Sequence, residues 1–289
     1  MLIDTHCHIH WPDYPIDANE VIDHAHKADI MEMICVGTDE ADSRIAVKFA
    51  QEHDSVFATV GVHPHYAEKG IGDIARLVDT VYSGNGFVPG LKRAPAPIQT
   101  RAADVSLNKD VQQDSDFVKS KLVAIGEIGL DYYKNRSSHE SQQKILREQI
   151  EIALKYNLPI IFHVREAYDD FWPIFDSYRG IRGVLHSFTD TIENAQKGLC
   201  RGLFVGVNGI STFTKDEAQK AMFAALPLDK TILETDAPYL TPSPFRGKVQ
   251  VNEPAFVKGI AEHYGAIHQT SFDEVAKVTT ANARALFNL

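Results

Sequence analysis

Ile3-Asp4-Thr5-His6-Cys7-His8, almost at the start of the chain, reads as the end of a short strand (Leu2 to Thr5) that hands over two histidines. Side chains of an extended segment alternate faces, so His6 and His8 can aim two imidazoles at one point while Cys7 turns away. Two imidazoles on one side of a strand end begin a site for Zn, Mn or a similar ion. The remaining ligands have to come from elsewhere in the chain.

The same device, a short apolar strand followed by a polar cluster, recurs along the sequence. Further strands are expected at Met31 to Val36, Val56 to Val60, Leu122 to Ile125, Pro159 to Phe162, Gly183 to Leu185, Leu203 to Val207 and Thr231 to Leu233. Helical spacing fills the intervals at Ile16 to Ala28, Asp39 to Gln51, Ile71 to Tyr82, Ala167 to Tyr178 and Lys215 to Ala225. Ser137 with Glu140 forms a capping box for a helix running to about Tyr156, and Asp190 or Glu193 caps the helix after strand six. Pro173 marks a kink, and helices around Glu253–Tyr264, Phe272–Val278 and Ala281–Leu286 close the chain. Eight alternating units predict an α/β fold, a (β/α)8 TIM barrel, over a single domain of residues 1–289. From about residue 83 to 120 glycines, prolines and a polar run break the periodicity. This insertion follows a helix and precedes a strand, which puts it on the face opposite a barrel's active site. Lys92, Arg93 and Arg101 within it could touch a nucleic acid or a partner.

With 44% hydrophobic and 24% charged residues, the 289-residue chain has the composition of a soluble globular protein. It has no apolar run near the roughly 20 residues that span a bilayer. There is no basic stretch leading into an apolar one at the start, so neither a membrane nor a secretory address is expected. Cys7, Cys35 and Cys200 are odd in number and form no CxxC pair. They fit reduced thiols, and a cytoplasmic monomer is the expectation. A formal net charge of −10 argues against a broad basic surface for duplex nucleic acid, but not against a strand end held by metal and a few arginines.

In this strand assignment His6 and His8 follow strand one, His63 strand three, Glu127 strand four, His163 strand five, His186 strand six and Asp236 strand eight. Barrel enzymes build their sites at these C-terminal strand ends, so residues distant in sequence reach one mouth. The set suits two divalent ions (Zn, Mn, Mg or Co): His6, His8 and Asp236 for one, His163 and His186 for the other, with Glu127 bridging. Two ions roughly 3.5–4 Å apart activate water and stabilise both attacking and leaving oxygens.

These stretches are similar to the successive motifs of a known family. Asp4-Thr5-His6-Cys7-His8, Gly61-Val62-His63-Pro64-His65, the run from Ala124 to Tyr133, His163-Val164-Arg165, His186-Ser187-Phe188 and the run from Leu233 to Leu240 resemble those of the TatD family of metal-dependent deoxyribonucleases. These are amidohydrolase-like barrels. The resemblance covers nearly the whole chain in order and implies a divalent-metal 3′–5′ exodeoxyribonuclease acting on single-stranded DNA or 3′ ends. By that resemblance Glu127 takes the bridging place that a modified lysine holds in other amidohydrolases. Two features depart from the pattern: the 83–120 segment is longer than the usual link, and Asp190 stands where a glycine would follow His-Ser-Phe-x. The aspartate reads either as a helix cap or as a negative charge near a phosphate site.

On this reading water activated between the ions attacks a phosphodiester phosphorus, with Asp236, Glu127 and His63 catalytic and Asp236 both ligand and proton acceptor. His63 contacts a substrate phosphate or orients a ligand. Arg165 clamps a phosphate through a bidentate contact or forms a structural ion pair, and Arg246 is a candidate of the same kind. Tyr132 and Tyr133 stack on a terminal base or simply pack. Glu234 hydrogen-bonds a ligand histidine. Two rivals stand beside the nuclease. A D-aminoacyl-tRNA deacylase, or another small-ester or phosphoester hydrolase, would use the same binuclear site. A non-catalytic scaffold would have lost ligands, and all six are present.

Overall fold

Eight parallel strands lie side by side in chain order in the computed structural model, which describes residues 1–82 and 121–289. They are β1 Leu2–Cys7, β2 Ile30–Val36, β3 Val56–Val60, β4 Leu122–Asp131, β5 Ile160–Arg165, β6 Gly183–Leu185, β7 Phe204–Val207 and β8 Thr231–Leu233. The helices are α1 Ala18–Lys27, α2 Glu40–Glu52, α3 Ile74–Tyr82, α4 His139–Tyr156, α5 Tyr168–Asp176, α6 Ile192–Cys200, α7 Ile210–Phe213, α8 Glu217–Ala225, α9 Val257–Ile267 and α10 Phe272–Phe287. The sheet closes just beyond β8, where Cys7 bridges Ala237 in parallel. His8 N–H donates to the Ala237 carbonyl and Asp236 N–H to the His6 carbonyl, both at 2.8 Å. The fold is the expected (β/α)8 TIM barrel. The 83–120 segment, with Lys92, Arg93 and Arg101, lies outside the described residues.

Strand alternation builds two cores. Ile3, Ile34, Phe57, Val123, Ile161, Val184 and Ile232 pack inside the barrel with Ala283, Leu286 and Phe287 of α10, which stop its N-terminal end. Leu2, Cys35, Ala58, Leu122, Phe162, Leu185, Val205 and Leu233 face outward into the helix layer. Strict alternation from Ile3 would send Cys7 inward. A register irregularity between Asp4 and Cys7 resets the phase, so Cys7 joins the outer core and its neighbours His6 and His8 turn to the interior.

The strands at the site run further than expected. β4 continues through Asp131 instead of stopping at Ile125, because its ladder with β5 carries on to Asp131 and Arg165. Glu127 and His163 are therefore strand residues and not the first residues of loops. Caps differ by one residue. Ser138, accepting from Ser141 N–H, caps α4, while Ser137 is buried and its hydroxyl donates to the His65 carbonyl. Thr191 caps α6. Asp190 folds onto the same turn, accepting from Thr191 N–H and Asn194 Nδ2, each at 2.7 Å. The two closing helices expected after residue 271 are one, α10, and Pro173 sits inside α5 without ending it. Among the described residues no helix is long and apolar enough to cross a membrane.

Candidate active site

Glu127, 4% exposed, stands at the centre of the mouth. One carboxylate oxygen faces each way. Oε2 lies 3.5 Å from His6 Nε2, whereas Oε1 lies 2.7 Å from His163 Nδ1, 3.6 Å from His63 Nε2 and 3.7 Å from His186 Nε2. Asp236 closes the first side, its Oδ1 3.6 Å from His8 Nε2 and 3.7 Å from His6 Nε2. The structure thus brings His6, His8, His63, Glu127, His163, His186 and Asp236 together.

The backbone at these points is specialised. Asp236 has φ +58°, a left-handed conformation that Asp tolerates better than most residues and that costs on the order of 1 kcal/mol. Buried Asp4 holds the preceding residue, accepting from both the N–H and the hydroxyl of Thr235. At Gly206 on β7 a Cβ would lie 2.7 Å from the Glu234 carboxylate, so only glycine leaves that side chain its place. At Gly129, φ +154°, a Cβ would meet the His163 carbonyl oxygen at 1.8 Å. The bare backbone lets β4 and β5 close up around Glu127 and His163.

Each outer imidazole nitrogen has its own environment. His8 Nδ1 is 2.9 Å from the Val36 carbonyl, His163 Nε2 is 3.1 Å from Asp131 Oδ2, and His186 Nδ1 is 2.9 Å from Glu234 Oε1. This is the arrangement that orients metal-binding histidines and raises their basicity, although Glu234 meets His186 as an ion pair without the hydrogen-bond geometry expected of it. His6 differs: it is fully buried, stacked on His186 with centroids 3.5 Å apart, and neither of its nitrogens has a hydrogen-bond partner. Orphaned buried nitrogens are costly, and a cation is the partner that this donor set fits. His6, His8 and Glu127 bring ligand atoms within 4.8 Å of one another, and so do His63, Glu127 and His163.

Burial alone would raise the carboxyl pKa values and lower those of the imidazoles. Against burial, the surrounding imidazoles hold Glu127 well below the usual carboxylate range, and those around Asp236 lower it too. Burial likewise works against a proton on His163 and His186. Hydrogen bonds to Asp131 and Glu127 nevertheless lift His163 to about 9, and the charges of Glu234 and Glu127 lift His186 to about 10. For His63 burial wins, and its pKa falls well below the ordinary value. Its Nδ1 accepts the His65 N–H at 3.1 Å, which leaves the proton of the neutral ring on Nε2, pointing at Glu127.

The expected substrate contacts divide. Arg165 makes no ion pair among the described residues, and its guanidinium lies 3.8 Å from the centroid of the Tyr133 ring. Arg246 covers Phe213 at 4.0 Å. Tyr132 does not offer a free face: its ring stacks on His139 at 3.5 Å and its hydroxyl donates to Asp170. The ring expected to meet a base is committed to packing, and Tyr133 is the exposed one. One residue was missed. Asp131 lies four positions after Glu127 on the same strand face, a period that the sequence displays. It holds both His163 and His65, whose Nε2 is 2.9 Å away.

The family model described as TatD related DNase matches residues 3–288. The chain is 32% identical over 291 residues to the Bacillus subtilis metal-dependent hydrolase YabD, covering 100% of both. It is 30% identical over 279 residues to the Erwinia tasmaniensis 3′-5′ ssDNA/RNA exonuclease TatD, covering 94% of each. The crystal structure of the TatD homolog YJJV from Escherichia coli K12 superposes with a TM-score of 0.80 at 26% identity, over 100% of this chain and 98% of that one. With the barrel, the buried imidazole–carboxylate cluster at its mouth and these relatives in agreement, the chain belongs to the TatD family of metal-dependent hydrolases and is a hydrolytic enzyme.

Proposed function

We propose that this enzyme hydrolyses phosphodiester bonds at the 3′ end of single-stranded nucleic acid, with two divalent ions held by His6, His8 and Asp236 on one side and His163 and His186 on the other. The observation that carries the reading is Glu127, with one oxygen turned to His6 and the other to His163, His186 and His63. A carboxylate so placed is suited to bridge two cations. The relative named a 3′-5′ ssDNA/RNA exonuclease supports the substrate class and the polarity.

Divalent ions bound there would supply Lewis acidity and acidify a water poised over the phosphorus. The chain does the rest. Asp236, kept ionised by its imidazole neighbours and 17% exposed at the side chain, takes the proton of the attacking water. His63, neutral with its proton on Nε2, donates to a phosphate oxygen and does not ligate, because its other lone pair is used by His65 N–H. Asp131 and Glu234 fix the rings of His163 and His186. Arg165, its plane held on Tyr133, keeps its N–H edge free for a phosphate. With so few cations at the mouth of an acidic protein, activity should vary only modestly with salt.

The test is a single-stranded DNA or RNA labelled at its 5′ end, incubated with Mg²⁺, Mn²⁺, Zn²⁺ or Co²⁺, beside D-aminoacyl-tRNA. Stepwise shortening from the 3′ end that EDTA stops is expected. Release of the amino acid with the strands left intact would replace the nuclease by the deacylase.

A further inference from the structure

An aromatic corner at the mouth is not used by the metal cluster. Trp11, just beyond His8 and His10, lies face to face with the His8 ring, with centroids 4.4 Å apart and planes 17° apart. Tyr239 meets Trp11 edge to face at 6.0 Å and 70°. The Tyr239 backbone is fixed on both sides: its N–H donates to the Asp236 carbonyl at 2.8 Å, and its own carbonyl accepts from buried Asn252. The ring so firmly mounted is nevertheless 56% exposed.

The other tyrosines at the mouth are covered. Tyr132 lies against His139, and the Tyr133 ring carries the guanidinium of Arg165 and the ammonium of Lys134, which suits phosphate. Tyr239 alone of these three has no ring or cation stacked on its face among the described residues. It follows Asp236 by three residues and is two ring contacts from His8. A flat group stacked there would have its attached phosphate within reach of the cluster.

We infer that Tyr239, backed by Trp11, is the stacking site for the nucleobase at the 3′ end of the strand. This rests on the nuclease reading and deepens it: the rigid corner selects an unpaired terminal base and sets the phosphate behind it over Glu127 and Asp236. A paired 3′-terminal base must first be freed from its complement to enter the corner, at a cost that an unpaired end does not carry, so the corner favours single strands. Every base has a π face, so the site tolerates sequence.

The test is a cycle between residue and base. Tyr239→Ala and Tyr239→Phe are compared with the parent protein on a strand with an ordinary 3′-terminal nucleotide and on one whose terminal nucleotide is abasic. Loss of stacking should raise KM for the ordinary strand roughly 5- to 150-fold in the alanine variant, with kcat little changed. The phenylalanine variant should match the parent, and the abasic strand should not distinguish the three proteins. In parallel, a 3′-terminal 2-aminopurine strand is titrated with each protein in EDTA. Its fluorescence should be quenched by the parent and Tyr239→Phe, and not by Tyr239→Ala. Equal losses on both strands, or a loss confined to kcat, would overturn the stacking site while leaving the nuclease intact. Quenching that depends on Tyr239 without cleavage would keep the site and sink the nuclease. Neither cleavage nor quenching would end both.

Discussion

The two ends of the barrel are made from the same strands and do opposite work. On β5 Ile161 packs into the closed lower core while His163, two residues on, joins the cluster at the mouth. On β1 the change falls between Ile3 and His6, and around β8 between Ile232 and Asp236. At the bottom, apolar side chains close over α10. At the top, buried imidazoles and carboxylates face each other with too few partners among themselves. A few residues along one strand therefore separate what holds the fold from what performs the chemistry.

The sharpest test of that separation is Glu127→Gln, which keeps shape and removes one charge. Hydrolysis should fall on the order of 10⁴-fold, as when a member of a catalytic unit is lost. Denaturation should stay cooperative. The opposite change is Leu286→Ala, which opens a cavity at the closed end. It should lower stability by about 2–5 kcal/mol in a urea titration while kcat/KM of the folded protein stays at the parent value. If either variant moved both quantities, the two ends would be coupled.

The sequence displayed the strands and the ligand types at both ends, and hid what depends on pairing and packing. Apolar runs such as Val56–Val60 and Thr231–Leu233 located β3 and β8 to the residue, because a strand buried on both faces is apolar throughout. The ligand types at the mouth were equally visible, since histidines and carboxylates have little reason to follow strand after strand. What stayed hidden depends on three-dimensional neighbours. That β4 runs on past Ile125 follows from its pairing with β5, and no local propensity announces it. Tyr132 and Tyr133 are adjacent and chemically identical, and only His139 and Asp170 decide that the first is packed away. The tautomer of His63 depends on the backbone N–H of His65, a contact made only once Pro64 has started the turn.

Within the mouth, a smaller effect separates ligands from the groups that orient them. Glu234→Gln and Asp131→Asn each leave the six proposed ligands in place but weaken the hold on the outer nitrogen of His186 or His163. Each should cost roughly 10–100-fold in metal affinity, measured by competition with a chelating dye. Melting of the chelated protein near pH 7 should fall as well, because these carboxylates hold the protonated rings of His186 and His163 there. An unaltered affinity would mean that packing alone, as at His6, sets the rings.

Protons compete with metal for the same rings, and the sign of that competition is fixed by His163 and His186. In chelated protein their pKa values of about 9 and 10 lie above the roughly 6.5 of an unfolded chain, although burial opposes the charge. Their contribution to the stability of chelated protein is therefore complete below about pH 6.5 and is lost as pH rises through 9 and 10. A cation needs the neutral ring, so its affinity changes the other way. It should rise up to about tenfold per pH unit for each proton displaced, and the melting gap between loaded and chelated protein should widen from pH 6 to pH 8. Calorimetric titration with Mn²⁺ in two buffers of different ionisation enthalpy counts the protons released. A count of zero at pH 7 would mean that the ion does not displace these imidazolium protons, and the polar end of the barrel would then owe its charge to something other than a metal site.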